Sequence, residues 1–189
     1  MCKSQSISIR KMEDCLEDYT LMSKWLSDPE VLTYYEGRNN SFDLEKTIKK
    51  FRRKIVEPIG QTPCIIEYEG KPIGYLQYYK TDTEEYETGG KVDIDKYSNP
   101  YAMDLFIGET SYWNKGLGSE IIKLLLQYIF QNEHGHAVFI DPQTWNVRAI
   151  KCYEKSGFKP LTVIEKRELH EGEYKDNLIM VITPDLYFK

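Results

Sequence analysis

The sequence predicts a mixed α/β domain, and three patterns support that class. Some segments place apolar residues at helical spacing, while others alternate apolar and polar residues or form short apolar runs, as strands do. Two strand-like runs, residues 63–69 and 73–80, flank the turn sequence EGKP and indicate a β-hairpin. Further along, strand-like and helix-like segments alternate, which is typical of β-α-β crossovers. Together these patterns predict one mixed, twisted central sheet flanked by helices.

The part before the hairpin predicts one strand followed by helices. Residues 7–12 alternate as a strand, and residues 15–27 carry apolar side chains at helical spacing. Residues 28–40 predict a short helix or turn. An amphipathic helix follows over residues 43–57, with Asp43 as its N-cap and Pro58 just beyond its end. Its predicted inward face consists of Leu44, Ile48, Phe51 and Ile55.

The part after the hairpin alternates between strands and helices. Glycines and Pro100 predict a loop over residues 81–100. The strands are then predicted over residues 101–108, 136–141, 159–169 and 177–184, and the helices over residues 116–131 and 146–157. The inward face predicted for the first of these helices is Leu117, Ile121, Leu124, Leu125 and Tyr128. These elements fit one domain spanning residues 1–189.

Composition and charge exclude several functional classes. The chain has 30 acidic and 25 basic residues, whereas a nucleic-acid surface usually needs a basic excess. We expect no membrane span and no secretory signal, and therefore a cytoplasmic protein. The four cysteines show no CxxC spacing and are expected to be free thiols, and we expect no metal site. The oligomeric state, monomer or homodimer, stays open.

A glycine-rich turn comes between a predicted strand and a predicted helix. The sequence NKGLGS places Gly116 and Gly118 where unpaired N–H groups of the helix N-terminus are exposed. Glycines let an anion approach the backbone, and Lys115 could add charge, so the turn is a candidate phosphate cradle. The alternative is a plain tight turn, because the spacing matches neither a Walker A motif nor GxGxxG.

Together with WNKGLGSE and EYEGKPIGY, the segment NVRAIKCYEKSGF resembles the GNAT superfamily of acetyl-CoA-dependent N-acetyltransferases. The match to the family's N-x-x-A-x-x-x-Y-x-x-x-G-F helix is carried by Asn146, Ala149, Tyr153, Gly157 and Phe158. The turn departs from the family pattern at Trp113, where Gln or Arg is usual. The resemblance implies a GNAT-like sheet and acetyl-CoA as co-substrate, bound by Leu105, Phe106, Ile107, Lys115, Gly116, Leu117, Gly118, Ser119, Asn146, Ala149 and Tyr153.

A narrower resemblance covers nearly the whole chain. The segments LMSKWLSDPEVLTYYEGR, MDLFIGETSYWNKGLGS and IDPQTWNVRAIKCYEKSGF are similar to the aminoglycoside 6′-N-acetyltransferases. The similarity is greatest to the acetyltransferase portion of the bifunctional aminoglycoside-modifying enzymes. It implies acetyl transfer from acetyl-CoA to the 6′-amine of an aminoglycoside antibiotic, and hence antibiotic resistance.

Asp104 and Tyr153 are the candidate catalytic residues. Asp104 is a carboxylate in an otherwise apolar strand, and from the pattern alone it could equally face water. Tyr153 could be an ordinary aromatic residue of an amphipathic helix. The resemblance implies instead that Asp104 is the general base and that Tyr153 protonates the departing thiolate. Since no catalytic Cys, Ser or His constellation competes, direct transfer without an acyl-enzyme is favoured.

Acidic and aromatic segments suit a polycationic substrate. Carboxylates bind ammonium groups, and aromatic faces bind sugars and cations. Acids cluster in residues 81–95 and 168–176, although each could lie in a solvated loop. The predicted substrate-binding residues are Trp25, Tyr35, Glu36, Glu87, Asp104, Asp141 and Glu171.

Two other functions remain possible from the sequence. A GNAT enzyme could acetylate a different amine, such as a polyamine or a protein N-terminus. A non-catalytic sensor could bind acetyl-CoA without turnover, but the presence of both Asp104 and Tyr153 argues against it.

Overall fold

The computed structural model describes residues 1–57, 60–82, 92–94 and 96–189, and it has the mixed α/β fold that the sequence predicts. In chain order the described elements are β1 (Cys2–Lys3), β2 (Ile7–Lys11), α1 (Leu16–Trp25), α2 (Pro29–Tyr34), α3 (Leu44–Val56), β3 (Gln61–Tyr68), β4 (Lys71–Lys80), β5 (Pro100–Ile107), a 3-10 turn (Thr110–Tyr112), α4 (Leu117–Asn132), β6 (Ala137–Ile140), α5 (Val147–Lys155), β7 (Lys159–His170), β8 (Glu173–Ile182) and α6 (Pro184–Tyr187). The strand β1 and the helix α6 were not predicted, because each is too short to show a period.

The chain packs as two compact units. The first unit comprises residues 1–78 and 104–117, and the second comprises residues 79–103 and 118–189. Strands β4 and β5 contribute residues to both units. That residues 1–189 act as one domain stays a prediction.

In the first unit the strands lie in the order β1-β2-β3-β4-β5. Strand β2 pairs antiparallel with β3, with Ile9 opposite Ile66. The two-residue turn of Glu69 and Gly70, both at positive φ, joins β3 to β4 and confirms the predicted hairpin. Helices α1 and α3 contact each other, and α3 contacts β3. The core of this unit consists of Met12, Tyr19, Met22, Trp25, Leu26, Val31, Phe42, Phe51, Ile65, Tyr75 and Phe106.

In the second unit the order is β4-β5-β6-β8-β7. Strands β5 and β6 are parallel, with Pro100 opposite Ala137, and the helix α4 connects them as a crossover. Strand β8 pairs antiparallel with both β6 and β7. The core of this unit consists of Val92, Ile94, Ala102, Ala137, Phe139, Ile164, Ile179 and Val181. The sheet is thus mixed, as predicted.

The helix faces differ in part from the prediction. On α3 the Asp43 side chain accepts the Lys46 N–H at 2.8 Å, which confirms the N-cap, but Leu44 is exposed and Thr47 is buried instead. On α4 the predicted Leu124 and Tyr128 are half-buried. The buried stripe of α4 is broader and includes Ile121, Ile122, Leu125, Leu126 and Ile129. Helix α4 is therefore covered around more of its circumference than a surface helix would be.

Two glycines permit a close approach at the end of β5 in the first unit. A Cβ on Gly74 would lie 2.4 Å from the Phe106 carbonyl oxygen. A Cβ on Gly108 would lie 2.2 Å from a ring carbon of Trp25, which is itself 1% exposed. Neither the backbone nor a buried indole can retreat, so any other residue at these positions must displace the core.

We predict that Gly108→Ala destabilises the protein by about 1–3 kcal/mol through overpacking against Trp25. The measurement is urea unfolding followed by circular dichroism. In a Trp25→Leu background the smaller side chain removes the ring that the new methyl group meets, so the cost of Gly108→Ala should fall by about 1 kcal/mol or more. Equal costs in the two backgrounds would show that the ring contact is not the cause.

Candidate functional site

Asp104 lies in β5 and is held by a side chain from the neighbouring strand. The Gln77 amide on β4 donates from Nε2 to Asp104 Oδ2 at 2.6 Å. Gln77 is buried and Asp104 is half-buried. The carboxylate that the sequence singled out is therefore a fixed group of the sheet with a specific hydrogen-bond donor.

Two donors converge on the other end of the Gln77 amide. The Tyr75 hydroxyl donates to Gln77 Oε1 at 2.9 Å, and Lys54 Nζ on α3 donates to the same oxygen at 2.6 Å. Burial raises the pKa of Tyr75 well above its usual value, and the charge of Asp104 adds to this effect. Tyr75 therefore remains a neutral hydroxyl at any physiological pH.

Lys54 is a half-buried cation that lies close to this group. Its pKa is lowered to about 8, chiefly by burial and also by the nearby charge of Lys50, while the charges of Asp104 and Glu36 partly oppose the shift. Both carboxylates therefore lie within electrostatic reach of one ammonium group. This brings together two of the predicted substrate-binding residues, Glu36 and Asp104, in the first unit.

Aromatic rings line the same part of the first unit. Phe106, two residues after Asp104 on β5, packs against Tyr35 with ring centroids 4.7 Å apart and against Tyr75 at 5.7 Å. Tyr35 is half-buried, so part of this residue remains exposed to solvent.

The expectation that Trp25 faces a sugar is wrong. Its side chain is 1% exposed and packs in the core against Phe106, and its indole N–H donates to Glu109 Oε1 at 2.8 Å. Trp25 lies instead on the buried face of α1, together with Tyr19 and Met22.

Glu36 lies in a strained backbone conformation with its carboxylate already engaged. Its φ is 67°, a left-handed value that is uncommon for a residue with a side chain. Its carboxylate forms an ion pair with Lys50 and accepts from Asn40 Nδ2 at 2.8 Å. A substrate ammonium at Glu36 would have to share or displace the Lys50 contact.

The turn before α4 is tight, and the space beside its Gly116 is open. Asn114 and Gly116 both have positive φ, at 60° and 82°. Chain neighbours aside, no described atom lies within 4 Å of where a Cβ on Gly116 would be. Helix α4 begins at Leu117, so its first N–H groups lack intrahelical partners. The exposed Lys115 follows Asn114 in this turn.

Trp113 stands where the family pattern has Gln or Arg, and its side chain contacts other parts of the protein. Its indole N–H donates to the Ile107 carbonyl at 2.7 Å, and its ring meets Tyr34 edge-on at 5.8 Å. The Trp113 side chain is therefore hydrogen-bonded to the last residue of β5. Of the other predicted cofactor-binding residues on β5, Leu105 is half-buried and Phe106 is in the core.

In the second unit, Gly118 and Ser119 face α5. A Cβ on Gly118 would lie 3.0 Å from Cys152 Sγ, and Ser119 Oγ lies 3.5 Å from the same sulfur. Gly118 therefore has a packing role in addition to any role in anion binding.

Helix α5 carries the residues of the predicted family motif. Asn146 caps it by accepting the Ala149 N–H at 3.2 Å, and Gly157 ends it at a φ of 103°. Tyr153 is 8% exposed, with its ring 6.0 Å from that of Phe158. The helix predicted over residues 146–157 is thus confirmed, including both of its ends.

Two of the remaining predicted substrate-binding acids, Asp141 and Glu171, belong to the second unit. Asp141 follows β6 and accepts from Arg167 Nε at 3.2 Å, forming a half-buried ion pair. Glu171 is the first residue of the two-residue turn between β7 and β8. Glu87 lies outside the described residues, as does most of the acidic segment 81–95.

Sequence reasoning missed Gln77, Tyr75 and Lys54. A signal for each was present. Gln77 is a polar residue in the apolar run IGYLQYY, and period 2 places it on the same face as Tyr75. Lys54 follows Thr47 and Phe51 by seven and three residues, which places it on the buried stripe of α3.

Two classes of site find no support within the described part of the chain. Among those residues, no group of three or more His, Cys, Asp or Glu side chains is arranged to hold a metal ion. No helix among them has both the length and the apolar character needed to cross a membrane.

Comparison with known proteins places these features in a family. The acetyltransferase (GNAT) domain family matches residues 14–166. An aminoglycoside N(6′)-acetyltransferase type 1 of Klebsiella pneumoniae is 25% identical over 158 residues, covering 82% of this chain and 75% of that protein. A spermine/spermidine N(1)-acetyltransferase of Bacillus subtilis is 28% identical over 98 residues, covering 51% of this chain and 59% of that protein.

The fold agrees with the family match. A solved structure of AAC(6′)-Ib with ribostamycin and coenzyme A superposes with a TM-score of 0.78 at 22% identity, covering 98% of this chain and 97% of that chain. Because the family match spans most of the chain and the observed sheet and helices agree with it, this protein belongs to the GNAT acetyltransferase family.

Proposed function

We propose that this GNAT acetyltransferase transfers an acetyl group from acetyl-CoA to the 6′-amine of an aminoglycoside, and so confers resistance to that antibiotic. The observation that carries the proposal is Asp104, a carboxylate that Gln77 holds in the sheet and that lies within electrostatic reach of Lys54, as does Glu36. Two residues further along β5, the Phe106 ring packs against the half-buried Tyr35. A polycationic sugar needs this combination of acids and aromatic rings. The Klebsiella relative, aligned over 82% of this chain, carries the name of that activity.

In the proposed reaction Asp104 receives the substrate as an ammonium and takes its proton. The free amine attacks the thioester carbonyl, the C–S bond breaks as the C–N bond forms, and the acetyl group leaves coenzyme A. As the amide forms, the nitrogen loses a second proton, and coenzyme A leaves as the thiol. Tyr153 gives a proton or a hydrogen bond to the departing thiolate and regains any proton it gives from that nitrogen. The proton on Asp104 passes to solvent. A phenol is a weaker acid than a thiol in water, so Tyr153 acts through close positioning.

The proposed cofactor contacts lie at the start of α4 and on α5. The N–H groups of Gly116, Leu117, Gly118 and Ser119 would bind the pyrophosphate, with Lys115 adding charge. With Trp113 bonded to Ile107, the backbone carries more of this binding than in relatives with a Gln or Arg at that position. Asn146 and Ala149 contribute through the first turn of α5.

A polyamine is the second candidate substrate, because a relative of that activity aligns over half of the chain. Linear polyamines need carboxylates but no sugar-binding ring. The discriminating experiment measures coenzyme A release from acetyl-CoA with kanamycin-type aminoglycosides, with their analogues lacking a free 6′-amine, and with spermidine. Turnover confined to acceptors with a free 6′-amine supports the proposal. Turnover with spermidine alone overturns it.

We predict that Asp104→Asn lowers kcat by about 10²-fold or more at neutral pH, as general-base catalysis implies. The loss should shrink as pH rises, because more of the amine is then deprotonated without help. Steady-state kinetics across pH test this. A higher aminoglycoside KM with kcat unchanged would mean that Asp104 only binds the ammonium.

We predict that Gly118→Ala raises the KM for acetyl-CoA because the new methyl group stands at the proposed phosphate cradle. The same methyl group also presses on Cys152, so the variant alone is ambiguous. Gly118→Ala combined with Cys152→Ala relieves the pressure between α4 and α5. A KM that stays raised in the double variant assigns the effect to the cofactor, and a normal KM there assigns it to helix packing.

A further inference from the structure

Four side chains form a continuous hydrogen-bonded chain from α3 to β5. Lys54 Nζ and the Tyr75 hydroxyl lie 2.6 Å and 2.9 Å from Gln77 Oε1, and Gln77 Nε2 lies 2.6 Å from Asp104 Oδ2. All four residues belong to the first unit. Neither the general-base role of Asp104 nor the proposed cofactor site requires this chain.

The direction of each bond follows from the chemistry of the groups. An ammonium can only donate, so the Gln77 group facing Lys54 must be its oxygen. Tyr75, kept neutral by burial, donates to the same oxygen. The Gln77 N–H groups are therefore turned toward Asp104, where an ionised carboxylate is the matching acceptor. Protonation at Oδ2 would place two donors against each other.

The charges around Lys54 also bear on the ionised form of Asp104. The charged groups acting on Lys54 are Lys50 on its own helix, Glu36 from the segment after α2, and Asp104 from β5. The Lys54 ammonium and the Gln77 N–H both favour the ionised form of Asp104, one by charge and the other by hydrogen bonding. Removing a cation even partly from water costs free energy, and here the half-buried Lys54 is connected through Gln77 to the carboxylate of Asp104.

We propose that Gln77 and Lys54 are positioning residues for Asp104: Lys54 and Tyr75 fix the direction of the Gln77 amide, and the amide holds Asp104 ionised and oriented for the reacting amine. This inference rests on the proposed role of Asp104 as the base. It does not depend on which amine is the acceptor.

Two variants test the chain. Gln77→Glu is nearly isosteric and keeps an acceptor for Lys54 and Tyr75, but it sets an oxygen against Asp104. Lys54→Met removes the cation and keeps the length of the side chain. In both we expect kcat to fall at least tenfold at neutral pH. The acidic limb of the kcat profile should move to higher pH by about one unit, the lower end of shifts caused by nearby charges.

Matched controls separate this role from helix packing. Lys49→Met makes the same chemical change on the exposed side of α3 and should leave the profile unchanged. Lys54→Arg keeps the positive charge and the donors, and it should keep the acidic limb within a few tenths of a unit of the wild type.

A second readout needs no substrate. Carboxyl ¹³C NMR follows the titration of Asp104 in the ligand-free protein, with Asp104→Asn to assign the signal. We expect this titration to move to higher pH in Gln77→Glu and Lys54→Met and to stay in place in Lys49→Met. If the wild type fails to acetylate aminoglycosides, the proposed function fails, while the NMR titration still decides the inference. An unmoved titration in both variants, whatever their activity, overturns it.

Discussion

The core packing of the first unit depends on glycine at positions 74 and 108, where a side chain would overlap its neighbours. Strand β4 passes so close to the end of β5 that a Cβ on Gly74 would overlap the Phe106 carbonyl oxygen. Gly108 in turn allows the Trp25 ring to cover the end of β5. Because these contacts fix Phe106, they also fix Asp104 two residues earlier on the same strand. The placement of the candidate base is thus a consequence of core packing.

Sequence periodicity predicted most of the elements, and it failed where tertiary contacts decide the outcome. Both ends of the helix of residues 146–157 were predicted, because the Asn146 cap and the Gly157 stop depend only on the local backbone. The buried face of α4 was predicted too narrowly, because Ile122 and Ile129 are buried by neighbours that no local pattern reveals. Trp25 was misassigned for a related reason: a large aromatic residue serves a core or a sugar equally well until its neighbours are known.

The candidate site was predictable in its charged residues and not in their partners. Asp104 stood out as an acid in an apolar strand. Gln77 did not stand out, because a single amide in a strand has many ordinary uses. The role of Gln77 becomes visible only through its hydrogen bond from Lys54, which lies on a helix more than twenty positions earlier in the chain. Such a contact depends on how α3 and β4 are placed in the fold, which no local sequence pattern reveals.

The partial burial of Lys54 also makes the stability of the fold depend on pH. Its pKa in the folded protein is about 8, below the ordinary value of 10.5 that it regains on unfolding. Below pH 8 both states hold the proton, and the full cost of enclosing the ammonium weakens the fold. Between pH 8 and 10.5 the unfolded chain binds more protons than the folded one, so the contribution of Lys54 to stability rises with pH. In this pH range Lys54 releases its proton as the chain folds, and that proton comes from beside the candidate base.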